Sequence, residues 1–326
     1  MRSNRALLSV VAVTVAVLAV SSSAPLIAFA AAPALAIAFW RNALATVALT
    51  PVAAGPRRSE LRGLGRGHAV CVLAGVALAV HFGTWMPSVQ LGSVATAAAL
   101  VATQPVWQGL IAAAQGRRPS PAGWIGIALA VAGAAWATGA DVGLSQEAVL
   151  ADALALAGGV AAAVYTALGE RARAQLSTTT YTWICYGTCA VLLLIVCLAA
   201  GVPLVGYDVR TWAAILGIVV GAQLLGHSMF NYALRRVTAT TVSVLILLEV
   251  PGAALIAWAW LGQAPRPAVV PGLALLLAGV VVVVVGGARR TPRSAAAEAS
   301  LADAADPTLR SSTARPRQGA PDGRRS

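Results

Sequence analysis

The sequence contains no lysine: all 23 basic residues are arginine, set against 11 acidic ones. Without lysine there is no G-x-x-x-x-G-K-[ST] loop to cradle a nucleotide phosphate. Charge of either sign is scarce, at 10% of 326 residues against 59% hydrophobic, whereas a soluble domain carries about 25% charged residues. That balance excludes a water-soluble globular enzyme. A G-x-S-x-G elbow and an H-E-x-x-H pair are missing as well, so neither familiar hydrolytic arrangement is written in the chain. Cysteine is limited to Cys71, Cys185, Cys189 and Cys197, all within apolar runs. Cys185 and Cys189 lie one turn apart, but two thiols without a nearby His or carboxylate make a poor metal site. They read as packing residues, with no disulfide, metal or cofactor implied.

What is present is hydrophobic length. A membrane-crossing helix needs about 20 apolar residues, and ten such segments fit, near 7–22, 34–52, 68–87, 93–114, 121–139, 149–169, 178–201, 211–234, 238–262 and 267–287. Runs such as Val280 to Val285 do not alternate as barrel strands would. The fold class expected is therefore an all-α integral membrane protein with ten transmembrane helices. The basic start followed by an apolar run resembles a cleaved signal peptide, but nine further spans and the charge pattern favour a retained first helix. From residue 289 onward the chain is rich in Ala, Ser, Pro, Arg and Asp and lacks aromatics. It cannot bury enough apolar surface to fold and is expected to be a disordered cytoplasmic tail over 289–326.

Arginine marks alternate connections, as cytoplasmic loops do. Arg2 and Arg5 precede the first span; Arg57, Arg58, Arg62 and Arg66 lie between the second and third; Arg117 and Arg118 follow the fourth. Arg171 and Arg173 follow the sixth, Arg235 and Arg236 the eighth, and Arg289, Arg290 and Arg293 the tenth. The intervening connections carry at most one Arg each. Both termini are thus expected on the cytoplasmic side of the membrane. The +12 net charge sorts by membrane side instead of forming one basic face, so a nucleic-acid partner is not indicated and anionic lipid headgroups are.

The sequence also repeats itself. A constant offset of 146 carries His81 onto His227, Pro105 onto Pro251, Gly116 onto Gly262, Pro119 onto Pro265 and Pro121 onto Pro267. Small residues coincide easily in such composition, so the weight rests on the His pair and the spaced prolines. The offset moves the third span onto the eighth, and a shift of five crossings inverts one copy relative to the other. Two inverted five-helix repeats, 1–139 and 149–288, suit alternating access around a central site.

The run Leu225-Gly226-His227-Ser228-Met229-Phe230-Asn231-Tyr232-Ala233-Leu234-Arg235, with Leu248-Glu249-Val250-Pro251 and Leu261-Gly262-Gln263, resembles the second half of EamA-type transporters of the drug/metabolite transporter superfamily. Phe39-Trp40-Arg41 and Gln104-Pro105 are similar to that family's first repeat. The resemblance covers about residues 5 to 288. It implies a ten-helix exporter or permease of small metabolites such as amino acids, in a bacterial inner membrane, with spans one to four and six to nine around a cavity and spans five and ten peripheral. Two departures stand out: Val250 separates Glu249 from Pro251, and Gln263 replaces a common Glu.

Arg41 and Glu249 are the ionised side chains placed well within spans, where a charge costs at least about 2.5 kcal/mol unless paired or hydrated. Arg41 is a candidate for attracting an anionic substrate group or for pairing with Glu249; its bland alternative is snorkelling to the outer interface. Glu249, two residues before Pro251, is a candidate for proton exchange or for a structural hydrogen bond. His81 and His227 are candidate cavity residues from the two halves, each with a neighbour one turn onward, Trp85 and Asn231. Gln104 and Tyr165 complete the set, although Tyr also anchors helices at membrane interfaces. The glycine pairs Gly126/Gly133 and Gly272/Gly279 read as close helix packing. A membrane-embedded enzyme or a channel is the competing class, and oligomeric state, including a homodimer, is left open.

Overall fold

The structure is a computed structural model that describes residues 2–63, 65, 67–91, 100–138, 146–261 and 267–288. The expected tail, the start of the fourth span and the Gly262–Pro265 part of the repeat lie outside the described residues. Met1–Val284 forms one compact unit; of the other, Val285–Ser326, the described part is the end of the last helix.

The described chain is helical, without a strand. In order come α1 (Arg2–Ser21), α2 (Ser23–Phe29), α3 (Ala34–Ala54), α4 (Arg58–Arg62), α5 (Gly67–Leu91), α6 (Gln104–Ala114), α7 (Pro121–Thr138), α8 (Gln146–Arg173) and α9 (Thr178–Ala199). Then follow α10 (Val209–Ile218), a π-helical stretch (Val219–His227), α11 (Ser228–Ala233), α12 (Ala239–Ile246), α13 (Glu249–Leu261) and α14 (Val270–Ala288), the last preceded by a 3-10 turn (Pro267–Val269).

Six helical segments are long and apolar enough to cross a bilayer: Val10–Ile27, Ala34–Ala54, Gly67–Ser88, Gln146–Arg173, Thr178–Ala199 and Val209–Ala233. Shorter apolar helices occupy Pro121–Trp136, Ala239–Gly252 and Val270–Val285. Large hydrophobic side chains such as Leu73, Val191, Ile195 and Val220 stand exposed, which in water would be a liability and in hydrocarbon is the expected outer surface. The protein is therefore a multi-pass membrane protein. Its helices begin where short polar side chains satisfy free backbone N–H groups. Ser177 caps α9 through the Thr180 N–H (3.2 Å), and Asp208 caps α10 through the Thr211 N–H (2.8 Å).

Packing follows small residues. α5 and α8 form the most extensive helix pair, and a Cβ at Gly158 on α8 would press on the Trp85 Cβ and backbone N of α5. The paired glycines behave as the sequence suggests. A Cβ at Gly133 would meet Leu276 N and Gly272 O, and one at Gly279 would meet Ala130 N and Gly126 O. α7 and α14 thus touch backbone to backbone, with Ile127, Leu276 and Val280 filling a small core around them. The main core gathers α3, α5, α9 and α10, with all four cysteines buried and unpaired within it.

Two features differ from the sequence reading. The first segment does not end near residue 22 but resumes, after a break at Ser21–Ser23, as α2; hydroxyls of Ser21 and Ser22 turn back onto the Val17 and Ala19 carbonyls, a local competition that bends helices. Arg173, read as a loop residue, is 2% exposed at the end of α8. Its Nε donates to the Asn231 carbonyl (2.9 Å) and its Nη1 to that of Leu176, so satisfied carbonyls, not solvent, hold the charge.

Candidate functional site

Four helical segments are interrupted, and the interruptions surround one cavity. Besides the α1/α2 break, α6 starts at Gln104 after a turn at 102–103, and α13 starts at Glu249 after a turn at 247–248. The offset of 146 carries the first of these onto the second to within one residue. Pro105 and Pro251 account for both, since each lacks the donor needed to continue the preceding turn. The fourth interruption is the π-helical Val219–His227. Wide turns of this kind recur at functional sites. Here the Ser228 hydroxyl donates to the Gln223 carbonyl (3.3 Å), and Gly226 lies so close to Val20 of α1 that a Cβ there would strike it.

The cavity encloses about 80 Å³, room for a few waters. Every candidate residue from the sequence lines it. Arg41, His81, Trp85 and Gln104 come from the first half; Tyr165, His227, Asn231 and Glu249 from the second. Phe82, Thr166 and Ser23 also line it and were not anticipated.

Arg41 is 1% exposed, two turns into α3, which rules out the snorkelling alternative. Its Nε donates to Gln223 Oε1 (2.8 Å), and its guanidinium carbon sits 4.3 Å from the centre of the Phe82 ring. Gln223 Nε2 in turn donates to Asn42 Oδ1 (3.0 Å), and Asn42 Nδ2 to the Ala38 carbonyl (2.9 Å). Arg41 Nη2 is buried with no partner among the described residues, and so is Trp85 Nε1. Glu249 shares the cavity with Arg41 but forms no ion pair with it; the ion pairs among the described residues are Arg57–Glu60 and Arg117–Glu170.

The two histidines are held differently. His81 Nδ1 lies 2.9 Å from the Gly158 carbonyl, which can only accept, so Nδ1 carries a hydrogen. Its ring stacks on Trp85, centroids 5.7 Å apart and planes 4° from parallel. His227 instead makes ring contacts at 5.7 Å to Phe82 and 6.2 Å to Tyr165. Tyr165 accepts a hydrogen bond from Asn231 Nδ2 (2.7 Å), and Gln104 Nε2 donates to Thr166 Oγ1 (3.1 Å). Aromatic faces, amides and one charge of each sign can together hold a small polar organic solute, while the described residues contain no group of His, Cys, Asp or Glu that could hold a metal ion.

Away from the cavity, two polar contacts tie the connections expected on the cytoplasmic side. Arg117 grips Glu170 through both carboxylate oxygens (2.9 and 3.0 Å). Glu60 of α4 accepts from the Ser177 N–H and from Thr180 Oγ1 (2.9 Å) at the start of α9. Partial burial would raise the Glu60 pKa, but the bonds from Ser177 and Thr180 and the charge of Arg57 outweigh it and hold this carboxyl below its ordinary range.

Comparison with known proteins gives a family and a fold. The family model described as "EamA-like transporter family" matches residues 7–139 and again 149–285. No curated protein matches the sequence. A crystal structure of a protein 21% identical aligns over 87% of this chain and 98% of its own with a TM-score of 0.70; at that identity the likeness concerns the fold alone.

Proposed function

Because two family matches span most of its length, this chain belongs to the EamA-like transporter family, and from that premise we propose that it is a secondary transporter exporting small organic metabolites, such as amino acids or related compounds, by alternating access. Family membership makes the protein a membrane transporter with a small-molecule substrate and a lipid surrounding. The remainder is our reading. One observation carries it: a cavity lined by residues of both repeats, with polar side chains set among apolar and aromatic ones, lies where the helices are interrupted. Half-helix ends and displaced backbone groups at mid-membrane are how carriers accommodate a solute between two rocking halves.

In this reading each repeat contributes five crossings, with the second copy inverted; the described residues cover seven of the ten apolar segments in whole and the fourth, fifth and ninth in part. The arginine-bearing connections and both termini face the cytoplasm. Arg41, His81, Trp85, Gln104, Tyr165, His227, Asn231 and Glu249 contact the solute, and Glu249 exchanges protons during the cycle. Lacking a nucleotide-binding segment, the chain draws on an ion or solute gradient or equilibrates its substrate. The test is counterflow of radiolabelled amino acids and of metabolites accumulated by deletion cells, measured in proteoliposomes. Saturable exchange supports a carrier; unsaturated flux at channel-like rates would replace it with a pore, and chemical conversion of the label with an enzyme.

A further inference from the structure

The amide relay beside Arg41 has only one consistent polarity. Asn42 Nδ2 must face the Ala38 carbonyl, because a carbonyl cannot donate; this turns Asn42 Oδ1 toward Gln223, which must present Nε2 to it. Gln223 Oε1 is then left for Arg41 Nε. Two residues of α3 are thereby bound to one residue of the π-helical turn. Each amide fixes the next, and the guanidinium is fixed by one edge only. Its Nη2 remains without a partner at 1% exposure, on a residue lining the cavity, and Trp85 Nε1 on another lining residue is unpartnered too. Both are donors, and neither can accept. Two residues of the cavity lining therefore carry unused donors, one of them charged, of the kind that an acceptor-only group would satisfy.

We propose that Gln223, backed by Asn42, is a positioning residue that aims Arg41 so that Arg41 Nη2 and Trp85 Nε1 receive an anionic oxygen group of the transported solute, making this a carrier of organic anions or of zwitterions bound through their acidic end. The inference rests on the transporter reading and deepens it. Gln223 itself does not touch the solute. Its loss leaves Arg41 in place, packed on Phe82, but free to turn. Recognition of the acidic group then fails while the rocking of the halves continues.

The test uses full-length protein in proteoliposomes and a 13C-labelled bacterial extract as probe, with mass spectrometry identifying what accumulates inside over a series of extract concentrations. Wild-type vesicles are expected to accumulate solutes bearing carboxylate, phosphate or sulfonate. Gln223→Leu should raise the half-saturating concentration of those solutes about ten-fold, the usual effect of losing a hydrogen bond to a charged group, with maximal flux within a factor of about two. Trp85→Phe should give a smaller rise in the same direction. Should Gln223→Leu not insert, Asn42→Ala breaks the relay one residue further from Arg41 and carries the same expectation. Accumulated solutes without an acidic group, or variants that lower maximal flux with an unchanged half-saturating concentration, would overturn the proposal while leaving a carrier. No accumulation by the wild type at all would remove the carrier reading and this inference with it.

Discussion

His81 and His227 occupy matching places in the two repeats, and the helices around them could hardly differ more. His81 sits on the unbroken α5, hydrogen-bonded to the Gly158 carbonyl and stacked on Trp85. His227 ends a π-helical turn and is held by ring contacts to Phe82 and Tyr165. Sequence symmetry thus places one residue type twice while local backbone assigns it two jobs. Around His81, α5 and the second repeat's α8 make a close-packed wall, where glycine permits contact and a carbonyl locks an imidazole. Around His227 the helix itself is widened, and its imidazole meets only rings.

Substitutions can break that contrast. The largest effect is expected for Glu249→Gln at the broken second-half segment: pH-gradient-driven flux in reconstituted vesicles should be abolished while solute exchange without a gradient persists, and unchanged gradient-driven flux would refute proton exchange at this carboxyl. Next, Gly158→Val should force α5 from α8 at a cost of about 1–3 kcal/mol in stability, visible as a lower melting temperature in detergent. A close-packed wall demands this; a tolerant site would show that the wall yields. The histidines themselves then sharpen the comparison. His227→Phe should cut flux about ten-fold with melting unchanged, because it removes a polar cavity group and no hydrogen bond recorded in the structure. His81→Phe should instead lower stability by about 1 kcal/mol through the lost hydrogen bond to the Gly158 carbonyl, with the smaller loss of flux. Equal behaviour of the two variants would erase the distinction.

The smallest effect concerns the surface contact of α4 with α9. Glu60 has its pKa depressed in the folded protein, so its contribution to stability is present above its ordinary value of 4.5 and is lost as pH falls through the lower, folded value. The melting difference between wild type and Glu60→Gln should accordingly be measurable at pH 7 and shrink toward zero below pH about 4. A difference that grows on acidification would show the sign to be wrong.

How much of this was legible depended on chemistry standing out from its background. Arg41 and Glu249 were visible because a charge in an apolar run has few explanations, and the His pair because histidine is rare here. Pro105 and Pro251 were visible as a matched pair, but the spans were read straight through them, whereas α6 and α13 start anew there. Gln223 and Asn42 were not visible: neutral amides inside a helix usually serve themselves, and what gives these two their meaning is the pairing of α3 with a turn some 180 residues later. The wide turn was equally hidden, since no residue type in Val219–His227 marks it, and the closeness of Gly226 to Val20 is a fact of the tertiary fold. Arg173 followed the charge rule for a loop, yet two backbone acceptors that only the tertiary fold supplies keep it inside.

A helix wound one residue too wide holds a surplus that it can hand to the neighbouring turn, as a wrinkle is pushed along a carpet, with little change in its count of hydrogen bonds. Each handover would turn the residues it passes by about 100° about the helix axis and leave both ends of Val209–Ala233 where they are. Such a swing exchanges one face of side chains for another without any loop having to lengthen. The segment bearing His227 and Asn231 thereby owns a cheap internal rotation that α5, wound at its natural pitch, lacks.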